Sequence, residues 1–168
     1  MDARAHTLRM ARPDDIPALL LLKWQLALAE GATHAVRAGE VDWRRDMFGP
    51  NPHFFAVVAE ADATVIGVVT VAERFSTGWI GPLLCVNDVF VLPAFRGRGI
   101  AKALLARAAV EAIGRGAPFL ELSVRDDNPA RQLYRRIGFT RVRGAETYVL
   151  AGDALTALAG TGKSAKSA

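Results

Sequence analysis

The stretch VFVLPAFRGRGIAKALLARA, Val89 to Ala108, constrains this chain more than any other. An apolar strand runs into a basic glycine loop, and a helical pattern follows. A chain that turns from strand into helix leaves the first amide hydrogens of the helix without carbonyl partners, and the helix dipole favours anions there. Gly97 and Gly99 let the backbone approach a ligand closely, and Arg96 and Arg98 add full positive charges. The simplest ligand for such a loop is a phosphate or pyrophosphate. No Walker ending of lysine then threonine or serine follows, and Lys102 stands where a dinucleotide fingerprint needs its third glycine or alanine. Spacing alone leaves a rival open, a tight glycine turn with solvated arginines.

The surrounding pattern predicts a mixed αβ chain. HTLRMAR reads as a first strand, and RPDDIPALLLLKWQLALAE as a helix capped by Asp14 or Asp15 and stopped by Gly31, with Leu19, Leu22, Leu26 and Ala29 at helical spacing. A second helix spans about Gly39 to Phe48. HFFAVVAE and TVIGVVTVAERF read as strands joined by a tight turn near Ala61 to Ala63. PLLCVNDVFVL is almost wholly apolar and therefore central. After the loop, Ile100, Leu104, Leu105, Ala108, Ala112 and Ile113 form one helical face. PFLELSVR is the next strand, and a helix crossing between two such apolar strands demands parallel pairing. NPARQLYRRIGF is a short helix with Asn128 as N-cap, Pro129 at the first position and Gly138 as its stop. FTRVR and TYVLAG are expected to pair as closing strands.

Composition narrows the function classes. The chain has 168 residues, 51% of them hydrophobic, far too apolar for a disordered protein. One domain over 1–159 is expected, with 160–168 as a disordered tail. Lys23 and Gln25 interrupt the longest apolar run before membrane-spanning length, and the N-terminus lacks the apolar core of a signal peptide, so a cytoplasmic protein without a membrane partner is expected. The single cysteine, Cys85, reads as a small buried core residue. His6, His34 and His53 are scattered singly, and no metal site is expected. Net charge is +4. A nucleic-acid surface would need a longer basic face with interleaved aromatics, and a local anionic ligand is the better reading.

Two motifs carry a resemblance. RGRGIA resembles the R/Q-x-x-G-x-G/A loop of the GNAT N-acetyltransferase family, directly after the VFVLPAF strand. NPARQLYRRIGF, about thirty residues downstream, resembles that family's N-x-x-A-x-x-x-Y-x-x-x-G-F signature with one residue fewer between asparagine and tyrosine. RPDDIPALLLLK, DMFGPNPHFFAVVAE and WIGPLLCVNDVFV extend the similarity, from about Leu8 to Leu150, to the diamine (spermidine/spermine) acetyltransferase branch. The resemblance implies a GNAT fold, an α/β (α+β) mixed sheet of about six to seven strands and about four helices, with a V-shaped splay between the fourth and fifth strands. It implies acetyl-CoA as cosubstrate, held by Arg96, Gly97, Arg98, Gly99, Ile100, Ala101 and Lys102. The backbone of Val89, Phe90 and Val91 would hold the pantetheine arm and polarise the thioester, and Asn128 would be both helix cap and cofactor contact. It also implies a homodimer.

Acetyl transfer needs a neutral amine, a donor for the developing oxyanion and a proton for the departing thiolate. The resemblance makes Tyr134 the general acid, since an unperturbed tyrosine titrates near pH 10 and is protonated at neutrality, at about the family's motif position. Residues alone would give Tyr134 a packing role, on one face with Ala130, Leu133 and Ile137. The general base is where the chain departs from the branch, which carries a glutamate at the position of Asn87. An amide cannot accept a proton at neutral pH. Asn87 would instead hold a relay water, with Asp88 or Glu121 accepting the proton; Asp88 reads equally as a buried structural carboxylate. After the first helix, LAEGATHAV keeps Glu30 but offers Thr33 and His34 where the branch carries several acids. That thinning argues against spermine and for a smaller amine, an amino acid or a thioether-containing diamine. Other readings are acetylation of a protein or peptide amine, and a CoA-binding module without catalysis.

Overall fold

Long apolar strands buried on both faces build the frame of the molecule, and helices cover those faces. The computed structural model describes residues 6–78, 80–144 and 147–160. Its five strands are β1 (Thr7–Met10), β2 (Phe54–Ala61), β3 (Thr64–Ser76), β4 (Gly81–Val91) and β5 (Leu120–Leu122), joined in the order β1-β2-β3-β4-β5. The first four pair antiparallel, and β5 runs parallel to β4, as the crossover predicts. Asp62 and Ala63, both with left-handed φ (49° and 59°), close the β2–β3 hairpin, matching the twist of the strands.

Helix α1 (Ile16–Ala29) and helix α2 (Glu40–Phe48) cover one face of the sheet. Ile16, Leu19 and Leu22 of α1 are at most 2% exposed and pack with Trp43, Val58 and Phe90. Each such side chain contributes about 1.5–3 kcal/mol through burial. Trp43 and Phe54 meet edge to face at 5.3 Å. Asp15 ends up as no side-chain cap for α1: both its oxygens take the Arg9 guanidinium, at 2.6 and 2.9 Å, and Oδ2 also accepts the Arg12 amide. The Arg9 guanidinium holds the Asp15 carboxyl below its usual range. Gly31 stops the helix as predicted, with φ 65° and the Ala32 amide donating back to the Ala27 carbonyl.

Helix α3 (Ile100–Gly114) covers the other face through Leu104, Leu105 and Ala108. It reaches the sheet over Gly67 of β3, where a Cβ would lie 3.1 Å from the Phe90 carbonyl oxygen and 3.4 Å from Leu104 Cδ1. A glycine there sets the depth at which α3 seats.

The chain separates into two compact units, up to Leu133 and from Tyr134 onward, and helix α4 (Arg131–Arg136) spans the boundary. In the second unit, helix α5 (Gly152–Leu158) lies in a segment the sequence pattern did not mark as helical; seven residues are too few to show a period. The expected closing strands are absent: FTRVR and the first five residues of TYVLAG are irregular and its Gly152 begins α5, so the sheet has five strands rather than six or seven among the described residues. A two-stranded ribbon is marginal without an apolar face to bury, and Val142 and Val149 lie 79% and 83% exposed. Among the described residues no helix is long and apolar enough to cross a membrane. The expected tail falls almost wholly outside the described residues.

Candidate active site

Strand β4 carries most of the site, and its register explains how. Thr70 of β3 pairs with Asp88 while the next residue, Val71, pairs with Val86, so Asn87 is an extra residue on β4. Such a bulge bends the strand and resets its alternation. Ala72 pairs with Cys85 and Thr70 with Asp88, which puts Cys85 and Asp88 on the α1 face although three positions separate them. Asn87 itself is exposed. Parallel pairing with β5 covers only Leu84–Val86, so from Asn87 to Val91 the backbone edge away from β3 has no strand partner among the described residues. Phe90 and Val91 are buried, and Val89 is half-buried.

Asp88 is engaged on both oxygens. Its Oδ1 accepts Lys23 Nζ at 2.6 Å and its Oδ2 accepts the Thr70 hydroxyl at 2.9 Å. This triad lines a small cavity with Leu19, Leu26, Trp43 and Phe90. The sequence reading overlooked Lys23 and Thr70, yet both left a signal. Lys23 sits four residues from Leu19 and three from Leu26, a charge within an apolar stripe, and Thr70 is the lone polar residue in VVTVA. A charge inside an apolar face demands a partner.

Beyond Val91 the chain makes a single turn of 3-10 helix, Pro93–Phe95, and then the glycine loop. Gly97 and Gly99 both adopt left-handed φ, 77° and 78°, with nothing within 4 Å of where a Cβ would stand. Glycine is required there by backbone conformation, and the space in front of both is open. The loop arginines fold back. Arg96 Nε donates to the Val91 carbonyl at 2.9 Å and its guanidinium lies 5.3 Å from the Phe90 ring centroid. Arg98 donates to the Ala94 carbonyl at 3.1 Å and lies over Phe95. Gly99 precedes α3, and the Ala103 amide makes the first helical bond, to the Gly99 carbonyl at 3.0 Å. The Ile100, Ala101 and Lys102 amides are thus the unpaired donors of the helix start. Lys102 is exposed, Ala101 half-buried and Ile100 buried as an anchor.

On β5, Glu121 pairs in register with Cys85. Its Oε1 accepts both the Cys85 thiol, at 2.9 Å, and Arg74 Nη2, at 2.5 Å. Cys85 is half-buried rather than a fully buried core residue, because the thiol turns to this carboxylate. Burial first, and the Glu121 hydrogen bond second, push the thiol up to about 11.

Asn128 caps α4 as predicted, its Oδ1 accepting the Ala130 amide at 2.9 Å, which leaves its side-chain NH2 as the group for a ligand. Tyr134 opens the second unit, half-buried and edge-on to Phe139 at 5.8 Å. Among the described residues no cluster of three or more His, Cys, Asp or Glu could hold a metal.

A family model described as the acetyltransferase (GNAT) family matches residues 18–139. Thialysine N-epsilon-acetyltransferase of Mus musculus is 31% identical over 165 residues, covering 91% of this chain and 96% of that protein. The enzyme of the same name from Sus scrofa is 30% identical with the same coverage. Among solved structures, an integron cassette protein from the mobile metagenome of V. cholerae shares the fold with a TM-score of 0.75 at 23% identity, covering 92% of this chain and 97% of that one.

Proposed function

Since this chain belongs to the GNAT acetyltransferase family and is an N-acetyltransferase, we propose that it transfers the acetyl group of acetyl-CoA to a primary amine of a small molecule. One observation carries the reading: an open β4 edge leads directly into two left-handed glycines and the unpaired amides of α3. Those amides, from Gly97 to Lys102, hold the pyrophosphate. The edge of β4 away from β3 at Val89, Phe90 and Val91 takes the pantetheine arm, whose amides need strand-like partners. The Asn128 side-chain NH2 is a further contact. Arg96 serves the ligand indirectly, by bracing β4 through Val91.

In the reaction the acceptor ammonium loses a proton, its nitrogen attacks the thioester carbonyl, and the C–S bond breaks as the C–N bond forms. Tyr134 supplies the proton to the thiolate and is restored by the second proton that the nitrogen sheds as the amide forms. Asn87, which cannot act as a base, holds a water at the bulge that relays the ammonium proton. The acceptor is a small amine of the thialysine kind, a thioether-containing amino acid with a terminal amine, in keeping with the few acids around Glu30, Thr33 and His34. Thialysine is named by the relatives above, and the chain's sparse carboxylates fit it better than spermine.

We also infer a homodimer joined through the second unit, whose Val142, Val149 and Leu158 side chains are 78–83% exposed. Light scattering at micromolar protein should give twice the chain mass; a monomer rejects it.

The deciding test is CoA-thiol release with a panel of thialysine, lysine, spermidine and spermine, beside thermal melts with acetyl-CoA. Acetyl-CoA should raise the melting temperature, because a ligand selective for the folded state stabilises it, and thialysine should outpace spermine. Tyr134→Phe should lower kcat by about 100-fold to 10,000-fold with acetyl-CoA affinity unchanged. A loss under about tenfold assigns the tyrosine to packing against Phe139.

A further inference from the structure

Resting on that reading, we propose that Glu121 of β5 is the general base, taking the acceptor's proton through its Oε2. The branch's usual glutamate position holds Asn87, so the proton must leave by another carboxylate. Asp88 is the nearer in sequence, but Lys23 occupies its Oδ1 and Thr70 its Oδ2, at 2.6 and 2.9 Å. Each Asp88 oxygen already holds a donor and the side chain is only 14% exposed, so a substrate proton has little access to it. Glu121 is arranged differently. Arg74 and the Cys85 thiol both bind Oε1, which fixes the rotamer from two sides and leaves Oε2 without a partner among the described residues. The side chain is 36% exposed, so that oxygen is open to water.

Position agrees. Glu121 pairs with Cys85, and the bulge residue Asn87 lies two residues further along β4, about 7 Å at strand rise. Because Arg74 and Cys85 hold the carboxylate in place, water carries the proton across this interval to the open Oε2. Because the bulge resets β4, Arg74, Cys85, Glu121, Thr70 and Asp88 share the α1 face. The charged groups around Glu121 are therefore Arg74 from β3 and, along β4, the closed Asp88–Lys23 pair. Arg115, at the C-terminal cap of α3, is paired with Glu73 on the opposite face.

The step balances. The ammonium gives one proton, through the water at Asn87, to Glu121. The neutral amine attacks, the C–N bond forms, the C–S bond breaks, the thiolate takes a proton from the general acid, and the second proton that the nitrogen sheds as the amide forms restores that acid. The N-acetylated amine and CoA thiol leave, and Glu121 returns its proton to solvent.

Glu121→Gln keeps the shape and removes the base. With thialysine as acceptor, kcat should fall about 100-fold or more at pH 7. The deficit should shrink as pH approaches about 10, where the amine is neutral unaided. Acetyl-CoA affinity by calorimetry should stay within about twofold of wild type, a small change on the scale of tenfold per 1.4 kcal/mol. Equal losses at every pH would mark a structural role and overturn the assignment, as would a kcat within twofold of wild type. If the glutamine variant fails to fold, Glu121→Asp decides. It keeps a charge for Arg74 but draws the carboxylate back by one methylene, so a kcat loss of about tenfold supports the base and a loss under twofold overturns it. If wild type acetylates no amine while acetyl-CoA still binds, the small-amine reading itself falls and takes this assignment with it; an active wild type with an unimpaired Glu121→Gln removes the assignment alone.

Discussion

The glycine loop and the α1 face of β4 lie a few residues apart and work by opposite means. In the loop the backbone faces the ligand, while Arg96 and Arg98 turn back to brace Val91 and Ala94. On the α1 face the backbone is committed to the sheet and the side chains of Lys23, Thr70 and Asp88 close on one another. Charge in the first region is held by main-chain amides and costs no side-chain ordering. Charge in the second must be matched atom for atom, because that region is drier. Substitutions in the loop should therefore act on binding, and substitutions on the face should act on stability.

Gly99→Asp tests the contrast hardest. It sets a carboxylate where the pyrophosphate is proposed to lie and forces a side chain into φ 78°. Acetyl-CoA affinity should fall at least tenfold, about 1.4 kcal/mol, as calorimetry would read, while the melting temperature moves by only a few degrees. A change within twofold would erase the difference between the regions. Asp88→Ala should behave in reverse. It strands the Lys23 ammonium, costing about 1–3 kcal/mol and lowering the melting temperature by about 3–8 °C, with acetyl-CoA affinity untouched. Adding Lys23→Met should recover most of the loss; no recovery would mean that Asp88 acts through something other than this pair.

Arg96→Lys sharpens the boundary, since it keeps the charge but loses the planar fork that donates to Val91 and covers Phe90. A drop in acetyl-CoA affinity of about threefold is expected, under 1 kcal/mol; an unchanged affinity would show that charge alone matters. The smallest effect concerns Cys85. With its thiol pushed up to about 11, iodoacetamide should modify it barely measurably at pH 8, and faster only as pH rises toward that value. The raised value means the buried thiol adds stability below the free-thiol range, lost as pH climbs through about 11. Fast labelling at pH 8 would show that Glu121 does not hold it.

The loop was legible in the sequence because its physics is local. Glycine spacing, a preceding apolar strand and a following helical period all lie within twenty residues, and Asn128 followed by Pro129 is likewise a local signal. The α1 face was not. Lys23 meets Asp88 across 65 positions of sequence, and their meeting depends on a bulge that no residue type announces. Asn87 reads as an ordinary strand residue in CVNDVFV, and period-two counting from Cys85 would put Asp88 on the wrong side of the sheet. The closing strands were misread for a related reason. FTRVR alternates like a strand, but alternation shows what a segment could bury and says nothing of whether a partner exists.

The extra residue at Asn87 also has a meaning for how β4 tolerates change. The position is spare to the ladder, since Val86 and Asp88 on either side of it already meet the consecutive residues Val71 and Thr70. Many side chains could stand at position 87 and leave the sheet intact, since the site is exposed. Removing it would join Val86 to Asp88 in plain alternation, with Asp88 still opposite Thr70 and Phe90 still beneath α1, so what β4 would lose is its local bend. The ladder therefore tolerates a change of length at this one point, and the cost of the deletion falls on the site and leaves the core in place.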